Sequence, residues 1–522
     1  MKNTEILDTT LRDGMQAEGI SFSVNDKLNI LKLLDSLCID FAEVGTPASN
    51  VKDNELFERL PSLELKHVKP VAFSSTCHIN TLPESDAALN AAAASGCEYV
   101  SVFGKAWLLH VEHILCTTAE ENLRIIKESI EFLRNKDKKV FFDAEHFFDG
   151  YKDDPAYACK VIETAVSAGA ERVVLCDTNG GALPDEVVDI IKECSALLPE
   201  NFGVHFHNDC GVAVANAVAA VAHGAFHVQG TLNGIGERCG NTNLATLIGN
   251  LQLKKNMEVI PPECMQRLSG VCRAVAQISN ISTNNMPYIS RAAFSHKAGM
   301  HVDAVMKTPR SFEHIDPETV GNRRNILISE VSGKSALFSV IKEIAPFVQK
   351  SSDITSKIVE RVKELEYKGY QYESARASLE LIVLKELGIY KPHFCLERFK
   401  LITEQEGPSA GLSSAFVKVK VGRQYKIAAT ESDGPVHALD GALREALYGF
   451  FPELENVFLT DYKVRVLDAK SATGSTVRVF VETSDGENSW TTVGVSVDVI
   501  EASKQALIDG IEYKLYRGEC AK

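Results

Sequence analysis

The sequence predicts an α/β protein that begins with eight strand–helix units and ends in a repeated β-rich domain. Three observations support this prediction. Short apolar runs alternate with helix-length segments from residue 4 to about residue 253. Polar side chains follow several of these runs directly. After Phe399 the apolar periodicity changes to two, which is typical of strands that bury one face.

Eight predicted strands are each followed by a segment with apolar residues at three-to-four spacing, such as Ala119–Arg134 and Pro184–Leu197. Eight such units in about 250 residues match a (β/α)8 TIM barrel. An open doubly wound sheet is the alternative, but no early strand leads into the Gly-x-Gly-x-x-Gly turn which that fold favours. The predicted strands are Glu5–Leu7, Phe41–Val44, Pro70–Phe73, Tyr99–Phe103, Val140–Asp143, Arg172–Cys176, Gly203–Phe206 and His227–Thr231.

The chain beyond the barrel predicts two further regions. Residues 258–290 contain Pro261, Pro262 and a polar tract, which indicate a loop-rich linker, and residues 334–388 have helical patterns. From Phe399 a βββα pattern occurs twice, with helices at Pro435–Leu447 and Val499–Tyr513. We therefore expect a catalytic barrel at 1–268, a linker with helical subdomains at 269–392 and a C-terminal domain at 393–522.

Composition excludes several classes of function. The chain has 522 residues, 45% hydrophobic and 24% charged, which suits a globular enzyme of two or three domains. A net charge of -15 argues against nucleic acid or an anionic membrane as partner. No run of eighteen apolar residues is present, and a strand begins within five residues of Met1, so we expect neither a membrane span nor a signal peptide. Thirteen cysteines without a Cys-x-x-Cys pair predict reduced thiols and a cytoplasmic location.

A TIM barrel carries its chemistry where its strands end, and polar residues of this chain are concentrated there. Because the carboxyl ends of the strands meet at one face, residues from distant parts of the sequence should converge. The polar residues at or just after strand ends are Arg12, Asp13, Glu43, Glu145, Asp177, Thr178, Asn179, His205, His207, Glu237, Arg238 and Asn241.

The sequence Gly-Val-His-Phe-His-Asn-Asp predicts a metal site. His205 and His207 share one face of a strand, while Phe206 points to the other. Two imidazoles and one carboxylate commonly hold a divalent transition metal with open positions, and Asp13 offers the carboxylate. Asn241 could add a neutral oxygen. A structural or hydrogen-bonding histidine pair is the alternative.

Residues 6–19, Ile-Leu-Asp-Thr-Thr-Leu-Arg-Asp-Gly-Met-Gln-Ala-Glu-Gly, resemble the signature of the metal-dependent Claisen-type acyltransferases and lyases built on a TIM barrel. That family includes 2-isopropylmalate, homocitrate and citramalate synthases and hydroxymethylglutaryl-CoA lyase. Residues 205–221 and 228–244 are similar to its second signature and its strand-eight segment. Residues 143–151, 175–184 and 314–333 are most similar to the citramalate synthase branch. The resemblance implies Asp13, His205, His207 and Asn241 as ligands of Mn, Mg or Zn.

Such a site would chelate a 2-oxo acid, and the metal and Arg12 would stabilise the alkoxide formed on attack. Thr178 suits a hydrogen bond to the substrate carboxylate, and Glu145 could assist enolisation or position water. Gln16 is a weaker candidate for substrate binding. We expect Phe103, near the end of strand four, to limit the size of the 2-oxo acid.

The resemblance places the catalytic base at His301, in the stretch Phe-Ser-His-Lys-Ala-Gly-Met-His-Val-Asp, with His296 as a structural alternative. A tyrosine usually supports that histidine in the family, and the aligned residue here is Phe312. The supporting hydroxyl is therefore missing from this sequence.

The resemblance implies condensation of acetyl-CoA with pyruvate for isoleucine synthesis, with 2-isopropylmalate and homocitrate synthase as alternatives. It also implies a homodimer and a C-terminal domain that binds an amino-acid effector, expected to be isoleucine. A dimerisation domain without a ligand is the alternative for this domain. A biotin-dependent carboxyltransferase needs a lysine for carbamylation, and the segment after strand six has none. A barrel that has lost catalysis and serves as a sensor would lack Asp13 or a histidine, and all are present.

Overall fold

The computed structural model describes residues 4–297, 299–326, 353–404, 411–467, 474–486 and 488–520, with a few further residues between 338 and 349. The chain divides into two compact units. The first comprises Met1–Ser295 with Glu313–Asn325, and the second comprises His296–Phe312 with Ile326–Lys522. The predicted helical pattern of 334–352 lies largely outside the described residues.

The first unit contains the predicted closed barrel of eight parallel strands, each paired with the next in sequence and the last with the first. This confirms the TIM-barrel prediction. The strands are buried along nearly their whole length, as expected where helices cover the outside of a parallel sheet. They are β1 (Glu5–Asp8), β2 (Phe41–Gly45), β3 (Lys69–Ser75), β4 (Tyr99–Lys105), β5 (Lys139–Glu145), β6 (Arg172–Asp177), β7 (Gly203–Phe206) and β8 (His227–Gly230).

The helices around the barrel begin at residues that can cap them. Ser23 forms a capping box with Asp26, and Asp154 accepts from the amide of Tyr157 just before Pro155 opens the next helix. The helices are α1 (Val24–Ser36), α2 (Val51–Arg59), α3 (Ala87–Ala94), α4 (Leu108–His113), α5 (Ala119–Arg134), α6 (Phe147–Asp153), α7 (Pro155–Ser167), α8 (Pro184–Cys194), α9 (Ala213–Ala222) and α10 (Leu244–Lys254).

Residues 258–290, predicted as a loop-rich linker, contain two helices, so that prediction was wrong in part. They are α11 (Pro262–Met265) and α12 (Leu268–Ile278). Leu268, Val271, Cys272 and Val275 recur at helical spacing and are buried in the barrel's apolar core. Of the prolines that suggested a loop, Pro261 is the N-cap of α11 and Pro262 is its first residue, a position that suits proline.

An apolar cluster closes the amino end of the barrel. Leu7, Phe41, Val71, Tyr99 and Phe141 are all buried there, one from each of the first five strands. The ring of Phe41 packs edge to face with those of Tyr99 and Phe141, with centroids 4.9 and 5.2 Å apart. The amino end of the barrel is therefore a packed core, and a ligand site is expected at the carboxyl end.

The turn after β1 is fixed by a buried carboxylate. Asp8 accepts hydrogen bonds from the amide and hydroxyl of Thr10 and from the amide of Leu232. Burial raises the pKa of Asp8 to about 7. A short 3-10 helix, Asp13–Gln16, begins directly after this turn and carries Asp13 into the mouth of the barrel.

The second unit contains the predicted βββα repeat. Each repeat is a three-stranded antiparallel sheet followed by a helix, and the first sheet begins at Cys395, four residues earlier than predicted. In each described range, every helix is too short or too polar for a bilayer crossing. The strands of the two sheets are β11 (Cys395–Glu404), β12 (Leu412–Val421), β13 (Gln424–Ser432), β14 (Phe458–Val466), β15 (Val477–Ser484) and β16 (Ser489–Ser496). Two short strands that precede them in the sequence, β9 (Ser295–His296) and β10 (Asn325–Ile326), form a separate pair. The remaining helices are α13 (Gly299–Lys307), α14 (Asp353–Tyr367), α15 (Arg376–Glu386), α16 (Pro435–Leu447) and α17 (Val499–Cys520).

Candidate metal centre and active site

A cavity of about 230 Å³ lies at the carboxyl end of the barrel strands. The cavity brings together most of the residues that the sequence predicted from widely separated positions. Its lining residues are Arg12, Asp13, Gln16, Phe73, Phe103, Asp143, Glu145, Cys176, Thr178, His205, His207 and Glu237.

Three predicted metal ligands are grouped at the base of this cavity. Asp13, His205 and His207 each offer one ligand atom, and these atoms all lie within 4.8 Å of one another. Asp13 Oδ2 is 3.4 Å from His205 Nε2 and 4.0 Å from His207 Nε2. All three residues are buried. The backbone of His207 is bridged to that of Asn241, which brings the fourth predicted ligand beside the others.

The donor set fits a divalent cation. Within the described residues, Asn241 Oδ1 is a buried acceptor without a hydrogen-bond partner, while its Nδ2 lies 2.5 Å from Asp13 Oδ2. Nδ2 also lies 3.4 Å from His205 Nε2, so the amide faces the other ligands with its nitrogen, and half a turn of the amide group would present Oδ1 to a cation. A carboxylate, two imidazoles and an amide oxygen form a set that Zn or Mn binds with positions left open.

The charges of the cluster also suit a cation. Burial alone would raise the pKa of Asp13, but the charge of Arg12 and the proximity of His205 and His207 hold it well below its usual range. Burial and the charge of the neighbouring His205 together lower the pKa of His207 to about 4, so His207 is neutral at pH 7. Metal coordination needs this ionised carboxylate and a neutral imidazole.

Arg12 is held in place from three sides. Its Nε donates to Glu43 at 2.5 Å, its Nη1 lies 3.6 Å from Asp13 Oδ1, and its guanidinium lies 3.9 Å from the ring centroid of Phe73. Burial raises the pKa of Glu43 to about 7, against the opposing effect of Arg12. A guanidinium fixed in this way presents a positive charge to the cavity with little freedom to move.

Glu145 forms an ion pair with Lys105, a residue that the sequence analysis missed. The two residues are register partners at the ends of β4 and β5. The signal was present in the sequence, because a lysine that ends a barrel strand obeys the same rule as the residues that were found.

Thr178, Gln16 and Phe103 line the cavity as predicted substrate-binding positions would. Thr178 Oγ1 accepts a hydrogen bond from the amide of His146 at 2.9 Å, so its own proton remains able to donate. The ring of Phe103 is stacked on Phe73 with centroids 5.2 Å apart, which makes an apolar wall. Phe73 was another residue that the sequence analysis did not name.

His301 belongs to the second unit, on the exposed side of α13. Its ring lies against Phe312, with centroids 4.2 Å apart and planes inclined by 30°. Phe312, at the position where the resemblance leads us to expect a tyrosine, is therefore in contact with His301 but supplies no hydroxyl.

Comparison with known proteins gives three successive matches along the chain. Residues 3–272 match the family described as HMGL-like, residues 288–369 the homocitrate synthase post-HMGL domain-like family, and residues 373–515 the LeuA allosteric (dimerisation) domain. The chain is 45% identical to an (R)-citramalate synthase of Aquifex aeolicus over 98% of both chains. It is 43% identical to an (R)-citramalate synthase of Geobacter sulfurreducens over 99% of both. A 2-isopropylmalate synthase of Methanocaldococcus jannaschii is 29% identical over 98% of this chain and 95% of the relative.

Proposed function

The chain belongs to the HMGL-like family, and we propose that within it the chain acts as an (R)-citramalate synthase, joining acetyl-CoA, pyruvate and water into citramalate and CoA. The observation that carries this proposal is the similarity to (R)-citramalate synthases along nearly the entire chain. The grouped side chains of Asp13, His205 and His207 support it, because condensation onto a 2-oxo acid needs an electrophilic keto carbon. The reaction makes the protein an acyltransferase of branched-chain amino-acid biosynthesis.

A divalent cation held by Asp13, His205, His207 and Asn241 would polarise the keto group of a chelated 2-oxo acid. We infer Mn, Mg or Zn from the mixed nitrogen and oxygen donors. Arg12 lines the same cavity, where its fixed charge stabilises the oxygen that becomes negative as the new carbon–carbon bond forms. The protein thus supplies charge complementarity before the reaction begins.

The remaining cavity residues hold the substrates. The Thr178 hydroxyl donates to the carboxylate of the 2-oxo acid, and Gln16 offers an amide to the same molecule. Glu145, held by Lys105, accepts a proton or orients the water that hydrolyses the thioester. The stacked rings of Phe73 and Phe103 leave space for the methyl group of pyruvate and crowd the isopropyl group of 2-oxoisovalerate.

We assign the proton abstraction from acetyl-CoA to His301. Replacement by alanine should lower turnover by about two to four orders of magnitude, the usual range for a lost general base, with metal affinity unchanged. The matched control is His296→Ala, which removes an imidazole from the neighbouring stretch of sequence. Full activity of His301→Ala, or an equal loss in both variants, would contradict the assignment. A gain from Phe312→Tyr would show that the missing hydroxyl limits the base.

The C-terminal domain is proposed to join two copies of the chain and to bind isoleucine as an effector. A match to a LeuA allosteric (dimerisation) domain supports both parts, and we keep the division at residues 268 and 392 as a proposal. Isoleucine added to the full chain should inhibit turnover, and leucine should do so more weakly. Sedimentation should give a homodimer. Inhibition by leucine alone would indicate the 2-isopropylmalate branch instead.

A thiol-release assay with acetyl-CoA and a panel of 2-oxo acids tests the function. Pyruvate should give the highest kcat/KM, and chelation of metal should abolish release until a divalent cation is restored. Faster release with 2-oxoisovalerate would make the protein a 2-isopropylmalate synthase, and faster release with 2-oxoglutarate a homocitrate synthase. Turnover in a metal-free preparation would contradict the proposed metal-dependent reaction.

A further inference from the structure

We propose that Asp143 is a positioning residue of the metal centre, which acts through Gln229 to fix the imidazole of His205. The proposal rests on the metal-dependent function proposed above. Asp143 lines the cavity, but the group of ligand atoms that could hold a cation among the described residues contains Asp13, His205 and His207, not Asp143. Its carboxylate is instead used in a hydrogen-bonded chain.

The chain of hydrogen bonds crosses the interior of the barrel. Ser101 Oγ donates to Asp143 Oδ2 at 2.8 Å, and Gln229 Nε2 donates to Asp143 Oδ1 at 2.8 Å. Gln229 Oε1 then lies 2.9 Å from His205 Nδ1. The four residues come from β4, β5, β8 and β7, and each is at most 5% exposed.

The chemistry of these groups determines which atom donates and which accepts in each hydrogen bond of the series. The ionised form of Asp143 offers only acceptors, so the amide group of Gln229 turns its NH2 end toward it, as the 2.8 Å contact of Nε2 with Oδ1 indicates. Its carbonyl oxygen is then left facing His205 and requires a proton on Nδ1. The lone pair of His205 is thereby placed on Nε2, the atom that lies 3.4 Å from Asp13. This is the tautomer that can bind a cation beside Asp13.

The reverse arrangement shows why Asp143 matters. Without a carboxylate at position 143, the amide of Gln229 can rotate by half a turn and present its NH2 group to His205. That group would require an unprotonated Nδ1 and would leave the proton on Nε2, where it blocks coordination. Residues that orient a ligand in this way commonly contribute about 10- to 100-fold to metal affinity.

The test measures the affinity of the full chain for Co²⁺ by chelator competition and by the absorption bands of the bound ion. Gln229→Glu places a second carboxylate against Asp143 and should weaken Co²⁺ binding at least about tenfold. Adding Asp143→Asn to Gln229→Glu exchanges the positions of the carboxylate and the amide in the hydrogen-bonded series. Every hydrogen bond is then available again, so binding should return to within about threefold of the parent.

Gln229→Leu is the second variant, because it removes the hydrogen bonds between Asp143 and His205 without adding a charge. It should also lose about tenfold or more in Co²⁺ affinity while remaining folded by circular dichroism. The matched control is Asp86→Asn, since Asp86 is a buried carboxylate that caps α3 and contacts His78 away from the cavity. Its Co²⁺ affinity should equal that of the parent.

The outcomes separate this inference from the proposed function. Parent-like Co²⁺ binding by Gln229→Leu, or no recovery in the double variant, overturns the role of Asp143 and leaves the metal-dependent reaction standing. A parent protein that binds no Co²⁺ at Asp13 and the histidines overturns both. A loss in Gln229→Glu that the double variant reverses supports the inference, because a general packing defect would persist or grow with a second substitution.

Discussion

The two ends of the barrel bury charged groups in different ways. At the carboxyl end, Glu43 Oε1, His207 Nδ1 and Asn241 Oδ1 are buried and have no hydrogen-bond partner among the described residues. At the amino end, Glu5 accepts two hydrogen bonds from Arg172 at 3.1 and 3.2 Å, beneath a cluster of apolar rings. Unpaired buried polar atoms reduce stability, and at the carboxyl end they belong to two predicted metal ligands and to the carboxylate that holds Arg12.

In the part of the chain that the structure describes, the amino end also has unpaired buried atoms, in Thr4 and His227, and His227 shows what distinguishes the two ends. Neither of its ring nitrogens has a hydrogen-bond partner among the described residues. Its ring packs 5.0 Å from that of Phe141, and Nδ1 lies 3.5 Å from Glu5. An imidazole beside one carboxylate and an aromatic ring stabilises a core. At the carboxyl end, two imidazoles, a carboxylate and an amide surround a cavity. That arrangement does not stabilise a core and suits a cation instead.

The largest effect should come from breaking the ligand set at the carboxyl end. Asp13→Ala and His207→Ala should each lower turnover by about a thousandfold or more, since several kcal/mol of charge stabilisation depend on the cation. Their melting temperatures without metal should stay near that of the parent or rise, because each removes a buried polar group that is only partly satisfied. Turnover close to the parent's in either variant would mean that the cluster is not the reaction centre.

The sequence predicted those residues of the two ends whose position is evident from the local sequence pattern. Asp13 and Asn241 were found because they follow strands, and His205 and His207 because they stand at the end of one, where the barrel rule places functional residues. Asp143 and Gln229 were missed as parts of the site, because nothing in the local sequence shows that residues from β5 and β8 meet inside the barrel. Only the curvature of the closed sheet brings them together.

The same reasoning explains the error in the linker. Pro261 and Pro262 predicted a loop from local conformation, whereas α12 is defined by an apolar stripe that packs against the barrel. Tertiary burial decided the structure of that segment, and a proline before a helix does not oppose it. Likewise, the residue in contact with His301 could be suggested as Phe312 only by alignment to a family, not by periodicity.

The next largest effect should be on stability and should arise at the amino end. Tyr99→Ala removes a ring that packs against Phe41 and Phe141, and truncation of a buried aromatic residue typically costs about 3–5 kcal/mol of unfolding free energy. Denaturant unfolding should show this loss. The kcat of the folded enzyme at 25 °C should change little, because Tyr99 begins β4 and Phe103 lies near its other end. A fall in kcat comparable to that of Asp13→Ala would contradict the separation of the two ends.

A smaller effect is expected on specificity. Phe103→Ala opens the wall made with Phe73, so the ratio of kcat/KM for 2-oxoisovalerate to that for pyruvate should rise about tenfold to a hundredfold. The control is Phe132→Ala, which truncates a buried ring on the outer helix α5. That variant should lose stability without changing the ratio. An unchanged ratio in Phe103→Ala would mean that other residues exclude the larger acid.

The smallest effect tests the charges at the amino end through pH. Burial alone would raise the pKa of Glu5, but the nearby His227, whose Nδ1 lies 3.5 Å away, and the hydrogen bonds and charge of Arg172 lower it to about 2. A carboxylate with a lowered folded-state pKa stabilises the protein at pH values above its unfolded-state pKa, and this contribution disappears as the pH falls toward the folded value. Glu5→Gln should therefore lower the unfolding free energy by about 1 kcal/mol at pH 7, since solvent screens a partly exposed pair. The difference between variant and parent should shrink between about pH 4.5 and pH 2. If the difference in unfolding free energy stays constant over that pH range, Glu5 contributes by packing and not by its charge. The contrast between the two ends of the barrel would then not rest on how they pair buried charges.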